Sequence, residues 1–155
     1  MLLFYPGSFD PLHNGHLDII TRAARLGPLV IGVGTNPAKE PLLSSQVRCE
    51  LLRGAVAALH DVTVTPYALA TLAQARVLGA TSLVRGIRNT TDLEFEATMA
   101  AIHRAHGLET VFLLSDGRFT HLSSRAVRLA LSAGIGINDM VPVAVATALE
   151  RRLAP

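Results

Sequence analysis

Two histidines three residues apart, His13 and His16, flank Asn14-Gly15 just after the turn Tyr5-Pro6-Gly7-Ser8-Phe9-Asp10-Pro11. Pro6, Gly7 and Pro11 in that turn, with Gly15 just beyond it, make it tight, and a helix is expected to follow. The free N–H groups of a helix start bind anions, and the helix dipole adds partial positive charge. Gly15 would let a phosphate approach the backbone closely. Both imidazoles could face such a ligand. The plain alternative is that a histidine here caps the helix or sits on the surface. Zinc would need at least three ligands, and Cys49 lies in a different helical segment. No Gly-Lys-Ser/Thr follows, so this is not a Walker loop.

A second cluster is Val84-Arg85-Gly86-Ile87-Arg88-Asn89, followed by Asp92-Leu93-Glu94-Phe95-Glu96. Two arginines spaced across a glycine at a strand end can hold two separate phosphates. The alternative is a pair of surface arginines. Two further candidates are Asn36-Pro37-Ala38-Lys39, after a strand, and Leu122-Ser123-Ser124, before a late helix. A serine at a helix start offers a hydroxyl and N–H groups to phosphate, and equally makes an ordinary N-cap.

The elements that must position these residues follow from hydrophobic periodicity. Strands are expected at Leu2–Tyr5, Leu29–Gly34, Val62–Thr65, Ser82–Val84 and Thr110–Leu114. Helices are expected over Asp18–Leu26, Gln46–Leu59, Ala70–Leu78, Asp92–His106, Ser124–Leu131 and Pro142–Leu153. Thr91-Asp92-Leu93-Glu94 reads as a capping box. The strands are continuously apolar, so both faces of a parallel sheet are buried. The expected fold is a Rossmann-like, doubly wound α/β domain of five parallel strands, with residues 1–155 forming one domain. Its ligand should lie at the carboxyl ends of the strands, where these motifs fall.

Half of the 155 residues are hydrophobic and 17% are charged, which excludes a disordered chain. No apolar run approaches the roughly 18 residues needed to span a bilayer, and no signal peptide is apparent. Neither a membrane nor a nucleic-acid partner is expected: the net charge is only +2, the basic residues are scattered, and aromatics are few. The single cysteine excludes an internal disulfide and suits a reducing cytoplasm. Of 14 basic residues, Lys39 is the one lysine.

These motifs, taken together, resemble bacterial phosphopantetheine adenylyltransferase. His13-Asn14-Gly15-His16 is similar to the HxGH signature of the wider nucleotidyltransferase superfamily. Arg85 to Glu96 resembles the family's "RGLR…DFEYE" block, and Leu122-Ser123-Ser124 its "ISSS". The resemblance implies transfer of AMP from ATP to 4′-phosphopantetheine, giving dephospho-coenzyme A and pyrophosphate. It implies that His16, Lys39 and Arg88 are catalytic. Ser8, Lys39, Thr71 and Arg85 would hold the acceptor. Ser8, Phe9 and His16 would contact ATP from the first loop, and Gly86, Ile87, Arg88 and Glu96 from the second. Phe119, Thr120, His121, Leu122, Ser123, Ser124 and Arg125 would complete the ATP site. Mg²⁺ would arrive with ATP, without protein metal ligands, and the assembly would be a homo-hexamer in the cytoplasm. Arg125 stands where the family often has serine, Phe95 where it has tyrosine, and His103 where asparagine is usual. The alternatives are nicotinate-mononucleotide adenylyltransferase and a non-catalytic nucleotide-binding module.

Overall fold

The computed structural model describes residues 1–35 and 40–153. Lys39 and its Asn36-Pro37-Ala38 neighbours lie outside the described residues. Five strands alternate with helices: β1 (Leu3–Gly7), α1 (Asn14–Ala23), β2 (Leu29–Gly34), α2 (Ser45–Ala55), β3 (Val62–Tyr67), α3 (Thr71–Leu78), β4 (Ser82–Ile87), α4 (Thr90–Arg104) and β5 (Glu109–Leu114). A short 3₁₀ turn at Gly117–Phe119 leads to α5 (Ser124–Ser132) and α6 (Val143–Leu153). All pairings are parallel and the strand order is β3-β2-β1-β4-β5.

That order reverses direction between β1 and β4. The two strands are paired only at Leu3 with Ser82 and Phe4 with Leu83. Beyond those residues they part, and the sheet splits at its carboxyl edge. A doubly wound sheet binds its ligand in such a crevice.

Strand β1 is buried on both sides, as its unbroken apolar run requires. Leu3 and Tyr5 join a large core with Ile19 and Ile20 of α1, Leu52 of α2, Val127 of α5 and Leu149 of α6. Phe4 faces the other way, into a smaller cluster with Leu83, Leu108 and Ala75 of α3. The second face is thinly covered: α4, packed on β4 and β5, has no buried residue.

Several boundaries differ from those expected from periodicity. Helix α1 starts at Asn14, one turn before its apolar stripe, because His13 caps it. Helix α4 starts at Thr90, since Asn89 rather than Thr91 is the cap and accepts from the Asp92 amide at 2.9 Å. Strands β1, β3 and β4 run on to Gly7, Tyr67 and Ile87. Proline and glycine there suggest a strand end, yet the neighbouring strand pairs through them. Helix α2 stops at Ala55, and a turn from Val56 to Leu59 follows.

Candidate active site

The loop after β1 is braced from three directions. Asp10, 6% exposed, accepts from the Leu42 and Leu43 amides at 2.8 and 2.9 Å. It also pairs with the Arg128 guanidinium of α5, whose Nε donates to the Asp10 carbonyl at 2.9 Å. Buried Arg48 of α2 donates to the carbonyls of Leu43, Ser8 and Gly34. Phe9 takes a left-handed φ of 49°. Its ring then lies over Gly7, where a Cβ would come within 2.8 Å of it. Asp10 thus braces the loop, as its chemistry allows, with its carboxylate fully engaged.

Helix α1 opens on a reciprocal cap made of two histidines. The His16 amide donates to His13 Nδ1, and the His13 amide donates to His16 Nδ1, both at 3.3 Å. The rings stack at 3.6 Å between centroids with planes 23° apart. The Phe9 ring meets His16 edge-on at 5.0 Å. The capping alternative is therefore realised, and the same side chains also line the cleft. Burial, aided by the positive charge of Arg88, pushes His13 down to about 4. Burial first, then His13 and Arg88, holds His16 well below the usual imidazole range. Both rings are neutral near pH 7. Gly15 serves this packing, since a Cβ there would sit 3.1 Å from His13 Nδ1.

Across the cleft, β4 and α4 present two arginine–carboxylate pairs. Arg85 Nε donates to Glu96 Oε2 at 2.8 Å, Nη2 donates to Oε1, and Nη1 reaches the Pro6 carbonyl at 3.2 Å. Burial disfavours the Arg85 charge, but its bonds to Glu96 outweigh that and raise its pKa. Arg88 grips Asp92 through Nε and Nη2 at 2.8 and 3.0 Å and reaches the Leu122 carbonyl at 3.2 Å. Its hydrogen bonds hold the Asp92 carboxyl below the usual range. The third wall is the start of α5. Ser123 caps it, accepting from the Ala126 amide at 3.0 Å, and Ser124 Oγ donates to the Pro11 carbonyl at 2.9 Å. Phe119 closes this side.

The cleft so formed has a volume of about 280 Å³. It brings together Phe9, His16, Arg85, Gly86, Arg88 and Glu96, and on the α5 side Phe119, Leu122, Ser123 and Ser124. Other expected residues are not on its wall. Ile87 is buried behind it, Ser8 is exposed beside it, and Thr71 opens α3. Thr120, His121 and Arg125 are exposed at the surface. Tyr5, Pro6, Gly7, Ile19, Asp92 and Ser115 line the cleft without having been singled out as ligands. Position at the end of β1 was the available signal for the first three. Nothing in the sequence links Arg48 or Arg128 to the loop they hold.

The cleft carboxylates Asp92 and Glu96 are both given to arginines, and no group of three or more metal-ligating side chains occurs among the described residues. Engaged by arginine, Asp92 and Glu96 are not free to cage a divalent cation.

A split parallel sheet, a helix N-terminus and two arginines converging on one crevice define the class: an α/β protein that handles nucleotide phosphates. The comparisons agree. The cytidylyltransferase-like family model matches residues 4–130. A phosphopantetheine adenylyltransferase of Micrococcus luteus is 43% identical over 148 residues, covering 94% of each chain. That of Herpetosiphon aurantiacus is 44% identical over 150 residues, covering 95% of this chain and 91% of the relative. A crystal structure assigned as a nicotinate-nucleotide adenylyltransferase from Vibrio parahaemolyticus shares the fold, with a TM-score of 0.65, 16% identity and 96% of this chain covered. The chain belongs to the phosphopantetheine adenylyltransferase family, within the cytidylyltransferase-like group.

Proposed function

We propose that this chain transfers the adenylyl group of ATP to 4′-phosphopantetheine, giving dephospho-coenzyme A and pyrophosphate, with residues 1–155 acting as one nucleotidyltransferase domain. The observation that carries this reading is the convergence of Arg85, Arg88 and the His-capped start of α1 on the crevice between β1 and β4. The names of the relatives supply the substrates.

The acceptor phosphate is already anionic near neutral pH, so it attacks the α-phosphorus in line without a general base. The residues at the crevice suit that chemistry. Its carboxylates are paired with arginine, and its two imidazoles are neutral. Catalysis then rests on positioning and on stabilising charge in the transition state. His16 donates to the α-phosphate. Arg85, with Lys39, Ser8 and Thr71, holds the acceptor. Arg88, Ser123 and Ser124 hold the triphosphate as pyrophosphate leaves, Glu96 orients the nucleotide while also bracing Arg85, and Phe119 to Arg125 flank the nucleotide. Magnesium enters as part of the MgATP substrate.

The working form is a homo-hexamer in the cytoplasm. Support for self-association comes from α4, which leaves Phe95 64% and Ile102 50% exposed while burying none of its residues. No described helix is long and apolar enough to cross a membrane.

The test is pyrophosphate release from MgATP with either 4′-phosphopantetheine or nicotinate mononucleotide. Turnover with the first alone is expected. Turnover with the second alone would move the chain to the fold neighbour's chemistry. ATP binding with no turnover on either would make it a binding module.

A further inference from the structure

We infer that the Tyr5 hydroxyl is a further phosphate ligand of the crevice, donating a hydrogen bond to a phosphoryl oxygen held by the arginines of β4. The inference rests on the adenylyl-transfer reading only for which molecule carries that phosphate.

The position follows from the split in the sheet. Pairing of β1 with β4 ends at Phe4 and Leu83, so Tyr5 is the first β1 residue beyond the last pair. Its side chain lies on the α1 side of the sheet, in the core with Leu3 and Ile19. Gly86 of β4 has no side chain, and a Cβ there would lie 3.9 Å from the Tyr5 hydroxyl. The Phe9 ring meets the Tyr5 ring edge-on at 5.5 Å and limits its swing. The phenol thus reaches β4 at the glycine between Arg85 and Arg88, all three of which line the cleft.

The hydroxyl is short of a partner. Tyr5 is 6% exposed and lines the cleft. Among the described residues nothing is hydrogen-bonded to its hydroxyl, and Thr110 alone has a fully buried side-chain oxygen or nitrogen in that condition. The little exposure that Tyr5 keeps therefore includes its oxygen, and it opens into the cleft. A polar group so enclosed and unbonded is costly, and calls for a function. The charges around it say which. Arg85 and Arg88 are the cations that act on it, with Glu96 bonded to the first and Asp92 to the second. An anion drawn to those arginines is the acceptor that the hydroxyl lacks. Burial raises the pKa of the phenol and outweighs Arg85, so Tyr5 stays protonated and is a donor, not a base, at neutral pH.

Tyr5→Phe removes the oxygen and keeps the ring against Phe9. No protein group loses a bond, so Tm is expected to stay level or rise. Calorimetric Kd values separate the two sources of phosphate. Arg85 acts on the phenol more strongly than Arg88. In Tyr5→Phe, 4′-phosphopantetheine is therefore expected to bind about 10- to 100-fold more weakly, the equivalent of one hydrogen bond to a charged group. MgATP should bind as before. The same loss for MgATP instead would keep the phosphate contact and assign it to the nucleotide. A loss confined to kcat would place the bond in the transition state. The ring itself gives a reading that needs no turnover. The chain has two tyrosines, so ¹³Cζ labelling gives two signals, and Tyr5→Phe identifies one by its disappearance. Saturation with the ligand whose affinity depends on Tyr5 should shift that signal. Unchanged affinities for both ligands together with unchanged turnover would overturn the inference. So would a fall in Tm with equal losses for both, since the hydroxyl would then be held by the protein. If the wild type binds both ligands and releases no pyrophosphate, the adenylyl-transfer reading fails, while weaker binding by Tyr5→Phe still supports the phosphate contact.

Discussion

Arg85, near the end of β4, and Glu96, nearly two turns into α4, hold each other by two parallel bonds on the wall of the cleft. With the Pro6 carbonyl as a third acceptor, three of the five Arg85 donors are committed and two remain for a phosphate. Glu96 could brace this arginine or compete with the phosphate for it. The bracing role is expected to win, because an aligned fork loses little freedom on binding. Glu96→Gln should then raise the KM for 4′-phosphopantetheine about 5-fold, the equivalent of roughly 1 kcal/mol. A lower KM would identify Glu96 as the competitor.

Loss of the His16 donor should be felt in chemistry more than in folding. His16→Ala is expected to lower kcat by at least about 100-fold. It also frees the His13 amide, at a cost of about 1 kcal/mol of stability. Near-normal turnover of the folded variant would remove His16 from the mechanism.

The paired histidines give stability a specific pH dependence. Their folded-state values lie below the unfolded value, His13 at about 4 against 6.5. Between about pH 6.5 and 4 the unfolded chain binds protons that the folded chain does not. Stability should be full above that window and fall as the pH drops through it. Urea midpoints measured at pH 7, 6 and 5 should decline in the wild type, and less so in His13→Asn. Equal slopes would dissociate these rings from the effect.

Asp10 is the load point of the β1–α1 loop. Asp10→Ala strands two backbone amides and the Arg128 guanidinium. Allowing for the partial exposure of Arg128, a loss of about 3 kcal/mol is expected. That corresponds to roughly 6–12 °C in Tm, measurable by thermal denaturation.

If α4 is buried between subunits, a charge at its exposed aromatic should split the assembly. Phe95→Asp is expected to shift sedimentation from hexamer toward smaller species. An unchanged profile would locate the interface elsewhere, or show that the chain is a monomer.

The amino-acid sequence determined what is local and periodic. Unbroken apolar strands separated by helical stripes required a parallel sheet covered on both faces. The three-residue spacings of His13 with His16 and of Arg85 with Arg88 placed four polar groups at element ends. Only the tertiary structure decided which of them meet and in what state. The crevice exists because β1 and β4 pair at two residues and then diverge, and no local pattern encodes a missing pairing. Asp10 and Arg128 come together across 118 residues. Arg48 reaches Ser8 across 40. Such contacts depend on how the whole chain closes, not on neighbouring residues. The histidines show the boundary most clearly. Their spacing made them candidates, while burial, the reciprocal cap and the Phe9 ring made them neutral and fixed their orientation.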